Sequence, residues 1–166
     1  MHAHIKALYE HLRWVYPLAD AEATVDAVFA EAARLIQSIP HSHPRSWLFG
    51  LARKILLLSN SGDEWQQRNA AAVIDSLRET ASHMQDWHLW SDTDRVIAAT
   101  EHLSISDQEV IRFISCVEGV DADSLAVILD LSVANASQLL NRLIERFCAA
   151  CADAEPTGDA TYGDKP

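Results

Sequence analysis

Residues 124–146 read SLAVILDLSVANASQLLNRLIER. Leu125, Ile128 and Leu129 recur at helical spacing, and Asp130, Leu131 and Ser132 then interrupt the pattern. Ser132 is a suitable N-cap, because its hydroxyl accepts a bond from a free backbone N–H of the following turn. Beyond it Ala136, Leu139, Leu140, Leu143 and Phe147 fall at i, i+3, i+4, i+7 and i+11, the signature of one buried helix face. Two helices joined by so short a break form either a plain hairpin in a bundle or a helix-turn-helix. In the latter the second helix enters the DNA major groove. Ile128 and Leu140 are expected between the two helices.

Working outward, the upstream segment is HLSISDQEVIRFISCVEGVDADSLAVILDLS. Together with the motif it resembles the C-terminal promoter-reading domain of bacterial sigma factors, most closely the extracytoplasmic-function (ECF) group. Leu103, Glu109, Val110, Glu118, Gly119, Ala126, Leu129, Leu131, Ser132, Leu140 and Arg142 fall in register with that family's pattern. The family's turn glycine is replaced by Asp130, a residue that tolerates the left-handed region. Its DNA-facing Lys-Ser-Arg becomes Ser137, Gln138 and Leu139. The resemblance places minus-thirty-five-type DNA contacts at Ser132, Asn135, Ser137, Gln138, Asn141 and Arg142.

A second resemblance lies near the N-terminus. Asp20, Ala21, Glu22, Val25, Val28, Phe29 and Ala32 match the block with which ECF sigma factors dock on the clamp helices of the polymerase β′ subunit. Pro44, Arg45, Trp47, Leu48, Phe49, Ala52 and Arg53 match the block that melts and reads the minus-ten element. What the family implies here is polymerase binding through Asp20, Glu22, Asp26 and Phe29. It also implies minus-ten-type contacts from His43, Arg45, Trp47, Arg53 and Lys54. The two blocks stand in the family's order, with the helix-turn-helix downstream. The basic run that follows the second block in the family is absent: LLLSNSGDEWQQ has no cation before Arg68.

Apolar spacing supports the same organisation. Ile5, Leu8, Leu12 and Val15 mark a short first helix before Pro17. Val25, Val28, Phe29, Ala32, Leu35 and Ile36 line a second, which Pro40 is expected to end. Trp47, Leu48, Leu51, Ala52, Ile55 and Leu56 line a third that begins at Pro44. SNSGD, residues 59–63, is the clearest break. In the connector beyond it, Val73, Ile74, Leu77, Ala81 and Met84 predict an amphipathic helix. Of the chain's 5 tryptophans, Trp65, Trp87 and Trp90 lie in this connector, so it is expected to be docked rather than solvated. Ser91 and Ser106 head capping-box-like sequences for the next two helices.

With Gly and Pro at only 5 each and little β-branched alternation, the fold class expected is all-α. Two small helical domains are anticipated, a sigma region 2-like three-helix bundle at 1–60 and a sigma region 4-like helix-turn-helix domain at 96–150. They are joined by a helical connector at 61–95 and followed by a disordered tail at 151–166.

The 166 residues carry a net charge of −11, the reverse of the basic footprint of a free-standing nucleic-acid binder. Between residues 101 and 146 the only cations are Arg112, Arg142 and Arg146. Phosphate neutralisation supplies most non-specific DNA affinity, so DNA contact is expected only in a larger assembly.

No apolar run reaches membrane-spanning length, and no leader-like N-terminus is seen, so no membrane insertion and a cytoplasmic location are expected. The odd cysteine set, Cys116, Cys148 and Cys151, argues against a disulfide framework. Cys148 and Cys151 read as small apolar residues of a last helical turn rather than half a zinc site. His41 and His43 form no ligand cluster. No metal or cofactor is expected, and no nucleophile–base set marks an enzyme.

The first reading is thus an ECF-type sigma factor, with RNA polymerase core and promoter DNA as expected partners and an anti-sigma factor as expected regulator. The alternative is a sigma-like protein that binds an anti-sigma factor or the polymerase without reading promoters. A stand-alone helix-turn-helix regulator leaves the N-terminal match unexplained.

Overall fold

The computed structural model describes residues 2–40, 42–60, 63–82, 87–116 and 120–153; within these, the side chains of residues 2, 3, 38, 81, 82, 87–92 and 116 are not described. Every regular element among the described residues is a helix, and none is a strand. The helices are α1 (His2–Val15), α2 (Ala21–Arg34), α3 (Pro44–Ser59), α4 (Asp63–Ser82), α5 (Trp87–Glu101), α6 (Ile105–Cys116), α7 (Ala122–Leu129) and α8 (Val133–Asp153), with a 3-10 turn at Ile36–Ser38.

Local chemistry sets several of these boundaries. The Asp20 carboxylate accepts from Ala23 N–H and caps α2. Asp121 does the same for α7 through Ser124 N–H. Pro44 opens α3, where its missing N–H has no partner to lose. The second helix ends at Arg34 and not at Pro40. The chain turns off there, leaving Leu35 and Ile36, expected on the buried face, exposed. Two capping expectations also shift. Ser91 lies inside α5. The α6 cap is Ser104, whose hydroxyl accepts from Asp107 N–H, so Ser106 is already helical. At α6 the segment offered two serines, Ser104 and Ser106, and the earlier one is the cap.

The main core joins Leu8, Leu12, Val15 and Tyr16 of α1 and its end, Val25, Val28 and Ala32 of α2, and Leu48, Phe49, Ala52 and Leu56 of α3. Phe113 from α6 and Ile128 from α7 complete it. The segments 1–60 and 96–150 therefore share side chains in one core. A second cluster holds the helix-turn-helix together through Leu103, Val110, Leu125, Ala126, Ala136 and Leu143. A third, small one pairs Ile74 of α4 with Ile97 of α5, with Leu77 against them. Helix α5 also packs along α8.

Ile128 is buried, but in the main core rather than between the two motif helices, and Leu140 is only half-buried. Leu143, at 1 % exposure, occupies the position assigned to Leu140. Leu143→Ala is therefore expected to cost ~2–5 kcal/mol, and Leu140→Ala clearly less. Chemical denaturation of the two variants measures the difference, and equal losses would contradict this packing.

The connector is docked where it is described. Asn69 is 1 % exposed; its side-chain amide donates to Val15 carbonyl at 2.9 Å and its side-chain oxygen accepts from Leu18 N–H at 3.4 Å. Trp65 stacks on Tyr16, ring centroids 6.0 Å apart. The tail expected at 151–166 begins later than anticipated, since α8 continues through Asp153; the rest of it, the burial expected for Trp87 and Trp90, and the Met84 end of the connector helix lie outside the described residues.

Candidate nucleic-acid and partner interface

The turn of the helix-turn-helix is built as its residues require. Asp130 takes the left-handed conformation, φ 59° and ψ 49°. It ends α7 with its own N–H, and that of Leu131, donating to the Ala126 carbonyl. Ser132 Oγ then accepts from Asn135 N–H at 3.2 Å and starts α8. Burial of Ala136 and Leu143 fixes the roll of α8. Asn135, Gln138, Asn141 and Arg142 consequently lie together on the exposed side, in company with Glu145. Ser132 is exposed at the helix start. Ser137 is half-buried and rolls toward the flank shared with Val133 and Ile144. The strip is rich in amide donors and acceptors suited to base edges, and Arg142 is its one cation.

The N-terminal set divides. Glu22, Asp26 and Phe29 fall at i, i+4 and i+7 of α2, the two acids exposed and the ring half-buried against the main core. Asp20 is exposed, but its carboxylate serves the α2 cap. Arg45 is exposed, with its guanidinium 5.5 Å from the Phe49 ring centroid. His43, Trp47 and Lys54 line a cleft of about 520 Å³ together with Asp123, Asp130 and Val133 of the helix-turn-helix.

Two of the anticipated minus-ten cations point into the other half of the molecule. Arg53 makes a two-pronged contact to Glu109 of α6, at 3.1 Å from Nε and 2.9 Å from Nη2 to Oε2. Tyr16 donates its hydroxyl to the other carboxylate oxygen at 2.5 Å. Burial, followed by the adjoining Glu109 charge, pushes the Tyr16 phenol well above its usual range, so it remains a donor. Lys54 pairs with Asp130 at 2.8 Å, in an exposed position. The Asp130 carboxyl is held below its usual range by that hydrogen bond and charge.

Beside this pair, His11 is enclosed between two rings. Its centroid lies 4.0 Å from that of Phe49 and 5.2 Å from that of Phe113, and its plane is nearly parallel to both. Neither ring nitrogen has a hydrogen-bond partner. Burial, with a smaller contribution from the Arg45 charge, lowers its pKa to about 3, so it is neutral near pH 7.

Tyr16, His11 and Asn69 gave no periodic or motif signal in the sequence, because their role comes from contacts across the fold. Gly50 did carry one: a lone glycine inside an apolar helix marks a close backbone approach. A Cβ there would stand 2.9 Å from Ile128 O and 3.0 Å from Val127 O.

Among the described residues, no group of His, Cys, Asp and Glu is arranged to hold a metal ion. No helix among them is long and apolar enough to cross a membrane. The Cys151 thiol is pushed up by burial and by neighbouring Cys148, away from the reactive thiolate. None of the family models, curated proteins or solved structures compared with the chain matches it.

Proposed function

We propose that the chain is an ECF-type RNA polymerase sigma factor, a non-enzymatic subunit that directs promoter-specific transcription initiation in the cytoplasm. The observation that carries the reading is the polar strip of Asn135, Gln138, Asn141 and Arg142, presented by a helix whose other side is fixed in a helix-turn-helix core. The resemblance of the two N-terminal blocks supports it. In this reading α1–α3 form the region 2-like unit and α6–α8 the region 4-like unit. Glu22, Asp26 and Phe29 meet the β′ clamp helices, and Gln138 and Arg142 meet the minus-thirty-five element.

The net charge of −11 makes isolated DNA binding weak near physiological salt, and promoter contact depends on the polymerase core. Gln138→Ala is expected to change promoter choice, since an amide side chain pairs with adenine in the major groove. Arg142→Ala is expected to weaken all promoters alike. Reconstituted transcription with core polymerase on genomic fragments measures both.

A specific observation favours a second reading. Arg53 and Lys54 are engaged by Glu109 and Asp130 rather than free for DNA. A sigma-like protein that binds polymerase or an anti-sigma factor without reading promoters has no use for those cations at DNA. Core or anti-sigma binding without any promoter-dependent transcript would decide for it.

A further inference from the structure

Helix α8 has three sides. One meets the helix-turn-helix core through Ala136 and Leu143, and one carries the polar strip. At about 100° per residue, Val133, Ser137, Leu140, Ile144, Cys148 and Cys151 form the third, a stripe along the length of the helix. None of them is charged. Val133 is 49 % exposed and Ile144 56 %; Cys148 is exposed, and Ser137, Leu140 and Cys151 are half-buried. Neither Val133 nor Ile144 enters any of the three clusters that build the fold. Spacings of three and four residues are those of a seam that pairs with another helix.

The stripe ends in two thiols. Helix geometry sets Cα atoms three residues apart about 5 Å from one another on one face. Two sulfurs on one tetrahedral zinc ion stand about 3.8 Å apart, given a Zn–S distance of about 2.3 Å. The last turns of α8 thus present half of a four-cysteine site. The other half does not come from the same chain. Among the described residues, no third His, Cys, Asp or Glu joins the pair. His102 lies against Arg146, Ala149, Ala150 and Asp153, on sides of α8 away from the stripe. Residues 154–166 contain neither His nor Cys.

We propose that two copies of this chain clasp one zinc ion between them, each giving Cys148 and Cys151, with their α8 stripes apposed in parallel about a twofold axis. Parallel seating brings like ends together, whereas an antiparallel pair would set the thiols against Val133 of the other copy. The twofold makes the interface self-complementary, and it doubles two ligands to the four that a closed zinc site takes. A stripe without charges also lets two acidic chains meet there with no like-charge contact. On binding, each of the four thiols releases its proton to solvent and gives a sulfur lone pair to zinc, with no oxidant or reductant involved. The inference does not depend on the sigma-factor reading.

The test uses the full chain, kept reduced with a phosphine, stripped of metal by a chelator, and then given zinc chloride or cobalt(II) chloride. Sedimentation equilibrium reads the state of assembly, and elemental analysis counts bound metal. The expected result is one zinc per two chains and a dimer dissociation constant lowered at least tenfold by zinc. Cobalt should give the visible spectrum of tetrahedral thiolate ligation. Cys148→Ser and Cys151→Ser should each abolish the effect of zinc. Ile144→Asp should weaken the zinc dimer about tenfold, and Cys116→Ser should leave it unchanged. Circular dichroism checks that each variant keeps its helices.

Zinc held one per chain by a monomer would overturn the proposal, as would no zinc uptake at all. So would a dimer that forms equally in chelator or survives both serine substitutions. An Ile144→Asp dimer as tight as the wild type, or loss of the zinc dimer in Cys116→Ser, would overturn it equally.

Discussion

Phe113→Ala is expected to lower the stability of the protein by ~3–5 kcal/mol, and to do so for both halves together. Phe113 sits on α6, next to the helix-turn-helix, yet its side chain is fully buried in the core built by α1, α2 and α3. It stacks on His11 and meets Tyr16 edge-on, at 6.4 Å between ring centroids. Truncation leaves a cavity walled by helices from both ends of the chain, which cannot collapse without moving either. Loss of a buried aromatic side chain combines the transfer free energy of the ring with the cost of that void. Urea denaturation followed by hydrogen exchange checks the prediction. Protection should fall in α1 and α3 as well as in α6–α8. A loss confined to α6–α8 would show that the two halves unfold independently.

The second large effect concerns pH. His11 has a folded-state pKa of about 3, against 6.5 for the free side chain. Above pH 6.5 both folded and unfolded states hold it neutral, and it makes stability independent of pH. Below 6.5 the unfolded chain takes up a proton that the folded protein refuses. Each further unit of acidification then costs about 1.4 kcal/mol from this site, until the folded pKa is reached. At pH 5 the loss is about 2 kcal/mol relative to pH 7.5.

His11→Phe keeps the stack on Phe49 and Phe113 and removes two buried nitrogens that lack partners. Leaving buried polar groups unsatisfied costs ~1–3 kcal/mol each, so the variant is expected to be more stable at neutral pH, less the small strain of a larger ring. The decisive quantity is the stability difference between variant and wild type, measured by urea unfolding at pH 7.5 and pH 5. It should widen by about 2 kcal/mol on acidification. A difference that stays constant with pH would mean that His11 titrates alike in both states.

The all-helical class, the helix-turn-helix and its turn were legible in the sequence, because each rests on interactions within a few residues. The spacing of Leu125, Ile128, Ala136 and Leu143 encodes helix faces, Ser132 and Asp121 supply caps, and Asp130 tolerates the left-handed turn. The exposed strip of Asn135, Gln138, Asn141 and Arg142 follows from the same periodicity. Periodicity reveals that a face is buried but not against what. Thus Ile128 was readable as buried, while its place in the α1–α3 core was not, since it depends on the approach of α7 to Gly50.

The fate of the charged residues lay further out of reach. Arg53 and Lys54 read as a cationic helix face, and nothing local distinguishes a solvated arginine from one held by a carboxylate. Glu109 lies 56 residues from Arg53, and Asp130 lies 76 from Lys54. A pair so distant in sequence forms only after the loops between have closed, and that closure is a property of the assembled helices rather than of any segment. Tyr16, His11 and Asn69 belong to the same class. Sequence by itself determined which helices form and which faces they bury. Only the tertiary structure decided that the candidate DNA-facing cations of α3 meet the other half of the chain.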